Sequence, residues 1–337
     1  MQAGLGRVAA MTVLVTGGAG YIGAHVVRLL SEEGRDVVVV DDLSTGRADR
    51  VAGTELVRLD LAARGGAEVL GNVVRRRGVT EVVHFAARKR VDESVAAPLL
   101  YYRENLDGLA AVLEASTAHG VRSVVFSSSA AVYGDVAEGL VREDAPTSPV
   151  NPYGRTKLVG EWMLRDVTAT GALRGTALRY FNVAGAGWPE LGDPAITNLV
   201  TLVLDAVHRG VRPTVLGTDY PTRDGSGVRD YVHVLDLARA HVAALDAMRD
   251  GGDAFRCFNV GTGTGTSVRE VIAGLAQVMG APIAPVLAGR RAGDPAEVVA
   301  DASAISAALG WRATEPLSAT LASAWSAWRH AHGVAGR

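Results

Sequence analysis

The chain of 337 residues holds a single cysteine, Cys257. One thiol cannot build an internal disulfide framework, and that suits a reducing compartment such as the cytoplasm. Long apolar runs are also missing, and nothing approaches the ~20 residues needed to span a bilayer. The formal net charge is only -2, so no strong field draws nucleic acid or an anionic membrane surface. Low-complexity tracts and internal repeats are absent. His330 and His332 have no cysteine or carboxylate cluster beside them, so no metal site is expected. Residues 1–10 hold one positive charge and a short apolar patch, which reads as a frayed extension and not a signal peptide. What remains is 48% hydrophobic and 21% charged. A globular chain of this length can bury a large core, divided between two lobes.

A nucleotide fingerprint lies near the start. Residues 12–16 read as a short buried strand running into Gly17-Gly18-Ala19-Gly20-Tyr21-Ile22-Gly23, then an apolar-periodic segment over 24–30. Strand, glycine turn and helix is the context this motif requires. Small residues let the backbone approach a pyrophosphate, and the helix N-terminus offers it unpaired N–H groups. Residues 37–40 are four valines ending at Asp41. A carboxylate about 20 residues after the glycines suits the adenosine ribose hydroxyls. It would repel a 2′-phosphate, which favours NAD over NADP, although Arg47 is close enough to keep NADP open.

The second chemical signal is Tyr153-Gly154-Arg155-Thr156-Lys157. Residues four apart on a helix share a face. A free phenol titrates near pH ~10, too high for an effective base at neutral pH. An ammonium held close favours the phenolate, so Tyr153 is expected to be tuned downward by Lys157. The spacing alone also describes an amphipathic surface helix.

Strand and helix signals alternate up to about residue 180. Strands are expected at 55–58, 81–85, 123–126 and 177–180, and helices at 69–77, 99–119 and 153–168. This predicts an α/β fold, a doubly wound parallel sheet with helices on both faces. Ligands bind such sheets at the carboxyl ends of the strands, where Lys89, Ser129 and Asn182 fall. After Asn182 the elements shorten, predicting a second, smaller α/β lobe that covers the substrate. The expected division is 11–182 for the nucleotide lobe, rejoined by about 228–249, and 183–337 for the substrate lobe.

The assembled motifs resemble the extended short-chain dehydrogenase/reductase family and, within it, the UDP-glucose 4-epimerases. They are the glycine turn, His84-Phe85-Ala86, the run Ser127 through Gly134, Tyr153 to Lys157, and Arg179-Tyr180-Phe181-Asn182. Asp219-Tyr220-Pro221, Gly227 through His233, and Arg290 through Asp294 complete the set. The resemblance covers residues 12–328.

The resemblance implies roles. Tyr153 would accept the proton of the sugar 4-hydroxyl, Lys157 would bind the nicotinamide ribose, and Ser129 would hydrogen-bond the same sugar hydroxyl. NAD contacts would come from Gly17, Gly20, Tyr21, Ile22, Gly23, Asp41, Asp60, Leu61, Phe85, Ala86, Lys89, Asn105, Tyr180 and Phe181, with Tyr153 and Lys157. Contacts to a UDP-hexose would come from Ser129, Tyr153, Asn182, Asn198, Arg229, Arg291 and Asp294, with Arg290 the adjacent alternative to Arg291. Guanidinium forks at 229 and 291 suit a dianionic pyrophosphate, though a surface arginine or an internal salt bridge is the plainer reading of each. The implied reaction is C4 epimerisation through a 4-keto sugar, catalysed by a cytoplasmic homodimer.

Rival readings remain. A 4,6-dehydratase needs an extra acid and base, which the related dehydratases carry as an Asp-Glu pair just after the serine or threonine, where this chain has Ala130 and Ala131. A 4-epimerase for an N-acetylated sugar, uronic acid, pentose or dTDP-sugar stays open, because Val298 falls where relatives limit pocket size. A non-catalytic NAD sensor would have no need for Ser129, Tyr153 and Lys157 together. Trp188, in a short 184–197 segment, is expected to reshape the sugar pocket.

Overall fold

The computed structural model describes residues 11–135, 139–291 and 294–333, so the extension assigned to 1–10 lies outside them. In chain order the strands are β1 (Thr12–Thr16), β2 (Asp36–Asp41), β3 (Glu55–Arg58), β4 (Val79–His84), β5 (Ser123–Ser127), β6 (Leu140–Val141) and β7 (Arg174–Tyr180). They continue with β8 (Asn182–Ala184), β9 (Thr214–Leu216), β10 (Val228–His233), β11 (Phe255–Val260), β12 (Gly265–Ser267), β13 (Val286–Ala288) and β14 (Glu297–Ala300).

Seven strands form the parallel sheet β11-β7-β5-β4-β1-β2-β3. Valine-rich runs such as Val37 to Val40 are stiff at χ1 and suit strands buried on both faces. Side chains alternate between the faces. Val13, Val15, Val37 and Val39 enter a core with the helices Tyr21–Glu32 and Val234–Arg249. Leu14, Val38 and Val40 enter the opposite core, with Leu70, Leu109 and Leu164 from the helices Gly66–Arg77, Gly108–Ala118 and Pro152–Ala169. Each fully buried leucine contributes about 1.5–3 kcal/mol. The sheet is therefore doubly wound, as read from the periodicity. Strand order turns between β1 and β4, which opens a crevice at their carboxyl ends.

A smaller sheet, β12-β10-β14-β6 with β8 beside β10, stands apart from the first. A third core of Val200, Leu204, Val271, Leu275, Leu321 and Trp328 packs the helices of this region.

Two expectations change. The stretch 228–249 does not rejoin the first lobe as a unit: β10 pairs with β8, β12 and β14, whereas the helix after it packs against the helix Tyr21–Glu32. The strand that returns to the large sheet is β11, beside β7. The helix expected over 99–119 is a chain of three helical segments, Pro98–Tyr102, a wide π-turn at Arg103–Asp107, and Gly108–Ala118. Such wide turns concentrate at functional sites, and this one carries Asn105.

Candidate active site

The glycine turn is shaped by close backbone approach. Gly17 has φ +68°, and a Cβ there would stand 2.6 Å from the Ala86 nitrogen. At Gly23 a Cβ would stand 2.3 Å from the Gly17 carbonyl oxygen. The helix Tyr21–Glu32 begins at Gly20 with no side-chain cap, so its first N–H groups face outward without a side-chain acceptor. A cradle that any side chain would fill, at an uncapped helix N-terminus, fits the pyrophosphate of NAD.

Asp41 ends β2 beneath this turn. Its Oδ2 accepts the Ala19 N–H at 3.0 Å and its Oδ1 accepts the Leu43 N–H at 2.8 Å. Burial raises its pKa above the usual carboxylate range, and the Leu43 and Ala19 N–H bonds oppose that shift. Asp41 thus ties the glycine loop to β2, and its remaining lone pairs are what a ribose could use. The Tyr21 side chain points away from the cradle. Its hydroxyl donates to the Gly185 carbonyl at 2.5 Å, leaving only the backbone of Tyr21 and Ile22 at the uncapped helix start.

The next strand ends line the same edge. Asp60 is exposed, its Oδ1 accepting the Ala62 N–H at 3.0 Å, and Leu61 is buried. Phe85 donates its N–H to the Thr16 carbonyl, and its ring stands 4.6 Å from that of His241. Ala86 abuts Gly17, and Lys89 is exposed. Asn105 is buried and engaged at both ends. Its Oδ1 accepts the Arg88 N–H at 2.7 Å, and its Nδ2 donates to the Arg88 carbonyl and to Thr156 Oγ1. It clamps the loop after β4 to the helix that carries Tyr153.

That helix, Pro152–Ala169, starts at Asn151, whose side chain accepts the Gly154 N–H, with proline at its first position. Tyr153 and Lys157 lie on its buried face, against the end of β5. Lys157 Nζ donates to the Ser127 carbonyl at 2.8 Å and lies 5.9 Å from the centre of the Tyr153 ring. Ser129 caps the turn after β5, its Oγ accepting the Ala131 N–H at 3.2 Å. The three residues do converge.

Their electrostatics differ from the simple expectation. Burial raises the Tyr153 pKa, and the Ser129 hydroxyl opposes the shift. Lys157 is itself lowered to about 7 by burial, with Glu161 opposing. The ammonium therefore does not make a phenolate by itself, because a site that excludes water disfavours both charges.

Across the edge, the Tyr180 hydroxyl bonds to Ser127 Oγ at 2.6 Å, and Phe181 packs with Tyr133, Leu158 and Val298. Asn182 opens β8, next to Tyr231. Arg229 lies in an internal ion pair: its Nη2 is 2.5 Å from Asp294 Oδ1, and its Nη1 donates to the Val228 carbonyl. Two expected substrate contacts thus hold each other. Arg290 is engaged with Asp219 and lies over the Tyr220 ring, whereas its neighbour Arg291 is exposed. Asn198 caps the helix Leu199–His208 and donates to Asp193 at 2.8 Å. With Tyr21 it lines a separate cavity of about 450 Å³ whose walls do not include Tyr153.

Trp188 does not reshape a sugar pocket. It packs against the helix Tyr21–Glu32 at the edge of the first core, its ring 5.7 Å from His25 and beneath Arg28. Glu161 was not singled out from the sequence, yet it bonds Ser128 and pairs with Arg179 in the buried floor of the site. Its signal was position, one helical turn beyond Lys157 on the same face. No cluster of metal-binding type occurs among the described residues.

Comparison with known proteins agrees with this geometry. The model of the NAD dependent epimerase/dehydratase family matches residues 13–261. A relative from Azospirillum brasilense, named UDP-glucose 4-epimerase, is 48% identical over 305 residues, covering 89% of this chain and 86% of its own. A solved UDP-glucose-4-epimerase from Stenotrophomonas maltophila, with bound NAD and formylated UDP-arabinopyranose, has TM-score 0.91 at 40% identity. That match covers 96% of this chain and 100% of the other. The Brucella ovis UDP-glucose 4-epimerase in complex with NAD has TM-score 0.89 at 38% identity, covering 94% and 97%. A nucleotide cradle, a tyrosine–lysine–serine convergence and a match across most of the chain lead to one conclusion: the chain belongs to the NAD-dependent epimerase/dehydratase family.

Proposed function

We propose that this protein inverts C4 of a nucleotide sugar, interconverting UDP-glucose and UDP-galactose, with NAD as cofactor. The observation that carries the proposal is the convergence of Tyr153, Lys157 and Ser129 at the end of β5, beside the glycine cradle. Residues 11–182, completed by the 234–249 helix, β11 and the 302–313 segment that packs in the same core, form the nucleotide lobe, and the remainder of 183–337 forms the substrate lobe.

NAD, when bound, supplies the two-electron acceptor that takes C4 to the ketone and then restores it. The chain's own residues do the rest. Tyr153 Oη removes the 4-hydroxyl proton and later returns it, so no net proton or electron is consumed. Ser129 Oγ holds the same sugar oxygen. Because burial disfavours the phenolate, Tyr153 would act as a base with protonated Lys157 beside it and with the positive charge that oxidised NAD would bring to the site. Arg229, held rigid by Asp294, and exposed Arg291 grip the diphosphate while the keto sugar turns over. Gly17, Gly20 and Gly23 admit the pyrophosphate, with the Tyr21 and Ile22 backbone. Asp41, Asp60 and Leu61 take the adenosine end; Phe85, Ala86, Lys89, Asn105, Tyr180 and Phe181 line the remainder.

Ala130 and Ala131 lack the acid and base of a dehydratase. Val298 stands in one cluster with Phe181 and Ala130, and its small side chain supports tolerance of a 2-N-acetyl sugar as a second substrate. The single thiol supports a reducing compartment, the cytoplasm. A homodimer is supported by exposed Leu99, Val95 and Trp162 on helices next to the site.

The test is purified protein given UDP-galactose and, separately, UDP-N-acetylgalactosamine, without added NAD. Formation of the gluco epimer is expected, and Tyr153→Phe is expected to lose about 10²–10⁴-fold in kcat while keeping NAD. Near-native turnover by that variant would sink the assignment of Tyr153.

A further inference from the structure

Three turns of the helix Pro152–Ala169 face the serine run 127–129 at the end of β5. Lys157 donates to the Ser127 carbonyl at 2.8 Å and Glu161 accepts from the Ser128 hydroxyl at 2.5 Å, while the Ser129 hydroxyl is the group that opposes the raised pKa of Tyr153. The last rung is the most buried, with the Glu161 side chain 1% exposed and that of Arg179 5% exposed. Arg179 holds the carboxylate with both arms, Nε to Oε1 at 2.8 Å and Nη2 to Oε2 at 2.6 Å. Its third nitrogen donates to the Tyr133 hydroxyl at 3.0 Å and to the Glu143 carbonyl, and Tyr133 donates in turn to Asn259 on β11.

A buried ion pair is weak evidence for stability, since desolvation offsets most of the attraction. Its place in the fold is more informative. We infer that Glu161 is a positioning residue for the reaction, fixing Ser128 so that its neighbours present the Ser127 carbonyl to Lys157 and the Ser129 hydroxyl to Tyr153. This rests on the reading of Tyr153, Lys157 and Ser129 as the reaction centre.

Glu161 also acts through its charge. Lys157 faces Tyr153 and Glu161 on its own helix, the Phe126 ring and Ser127 carbonyl on β5, and His84 on β4; from β7, Tyr180 bonds to Ser127 and Arg179 pairs with Glu161. Burial holds His84 neutral, its pKa lowered to about 3, and raises that of Tyr180. Glu161 is the group that raises the Lys157 pKa against its own burial. Without that charge the lysine loses its proton at lower pH, and Arg179 loses its paired carboxylate.

Two variants separate the roles. Glu161→Gln keeps the size and an acceptor for Ser128 but removes the charge. Ser128→Ala keeps the ion pair but removes the rung. Both are assayed for bound NAD, melting temperature, KM, and kcat from pH 5.5 to 10, beside Tyr153→Phe. Glu161→Gln is expected to move the alkaline limb of kcat to lower pH by about one unit, a tenfold loss above that limb, with KM and bound NAD unchanged. Ser128→Ala is expected to lower kcat about tenfold at every pH, with the limb in place. Wild-type kcat and pH profile in both variants would overturn the inference. So would a Glu161→Gln defect confined to melting temperature with Ser128→Ala at wild-type kcat, since the pair is then structural only. Activity in Tyr153→Phe would instead refute the reaction centre itself, a separate and recognisable result.

Discussion

Gly17 and Gly34 allow the cost of the nucleotide cradle to be isolated. Both are left-handed, at φ +68° and +73°, so alanine at either pays the same backbone penalty of roughly 1–2 kcal/mol. They differ in surroundings. A Cβ at Gly34 meets nothing within 4 Å, whereas one at Gly17 meets the Ala86 nitrogen at 2.6 Å and Phe85 backbone at 2.9 Å. Those atoms are main chain and cannot swing aside, so the turn and the end of β4 must separate. Overpacking of this kind adds about 1–3 kcal/mol. At roughly 2 °C per kcal/mol for a chain of this size, Gly17→Ala is expected to melt about 2–6 °C below Gly34→Ala in NAD-free protein. The gap is expected to widen when NAD is saturating, because a parted cradle binds it more weakly and loses about 1.4 kcal/mol of ligand stabilisation per tenfold in affinity. Differential scanning fluorimetry with and without NAD, plus absorbance of the co-purified nucleotide, measures both. Equal melting temperatures and equal NAD occupancy in the two variants would refute the argument from close approach.

Burial lowers the pKa of His25 and His241 to about 4 and that of His84 to about 3, so the folded chain keeps them neutral while the unfolded chain protonates them below about 6.5. Unfolding thus takes up protons in this window, and stability is expected to fall as pH drops from 6.5 to 4, by up to roughly 4 kcal/mol per unit; urea melts across that range check it, and a flat profile contradicts it. Leu99→Glu puts a charge on a residue 73% exposed in the chain alone; if the face is a dimer contact, sedimentation is expected to shift from dimer to monomer. Val298→Tyr narrows the cluster with Phe181, and the rate ratio of UDP-N-acetylgalactosamine to UDP-galactose is expected to fall about 10–100-fold.

Legibility from the chain follows the range of the interactions. Most of the large sheet was readable because β1, β2, β4 and β5 are buried valine-rich runs, a local signal, whereas β11, with one valine and a half-buried first half, was not anticipated. The smaller sheet was not, since β6, β8 and β12 have two or three residues each, with partners far away in sequence. Tyr153 and Lys157 were found through their four-residue spacing and Ser129 through the family resemblance, and the structure sets Lys157 and the serine run 127–129 against one another. What they do to one another was misjudged, because the distance between charges can be anticipated from spacing but the removal of water cannot. Likewise the engagement of Arg229 by Asp294, of Asn105 by Arg88 and of Asn198 by Asp193 depends on contacts that no local pattern encodes. Glu161 could have been found by extending the four-residue period one step beyond Lys157.

The bond from Tyr21 to the Gly185 carbonyl gives the two ligands a thermodynamic connection. It fastens the first turn of the nucleotide helix to the segment that leaves β8, the strand opened by Asn182, a proposed substrate contact. Any ordering of that helix by NAD is then ordering the second ligand need not supply. Linkage is reciprocal, so whatever factor NAD adds to the affinity for a nucleotide sugar, the sugar must add to the affinity for NAD. Cutting the strap with Tyr21→Phe would leave both sites in place and bring that shared factor toward unity.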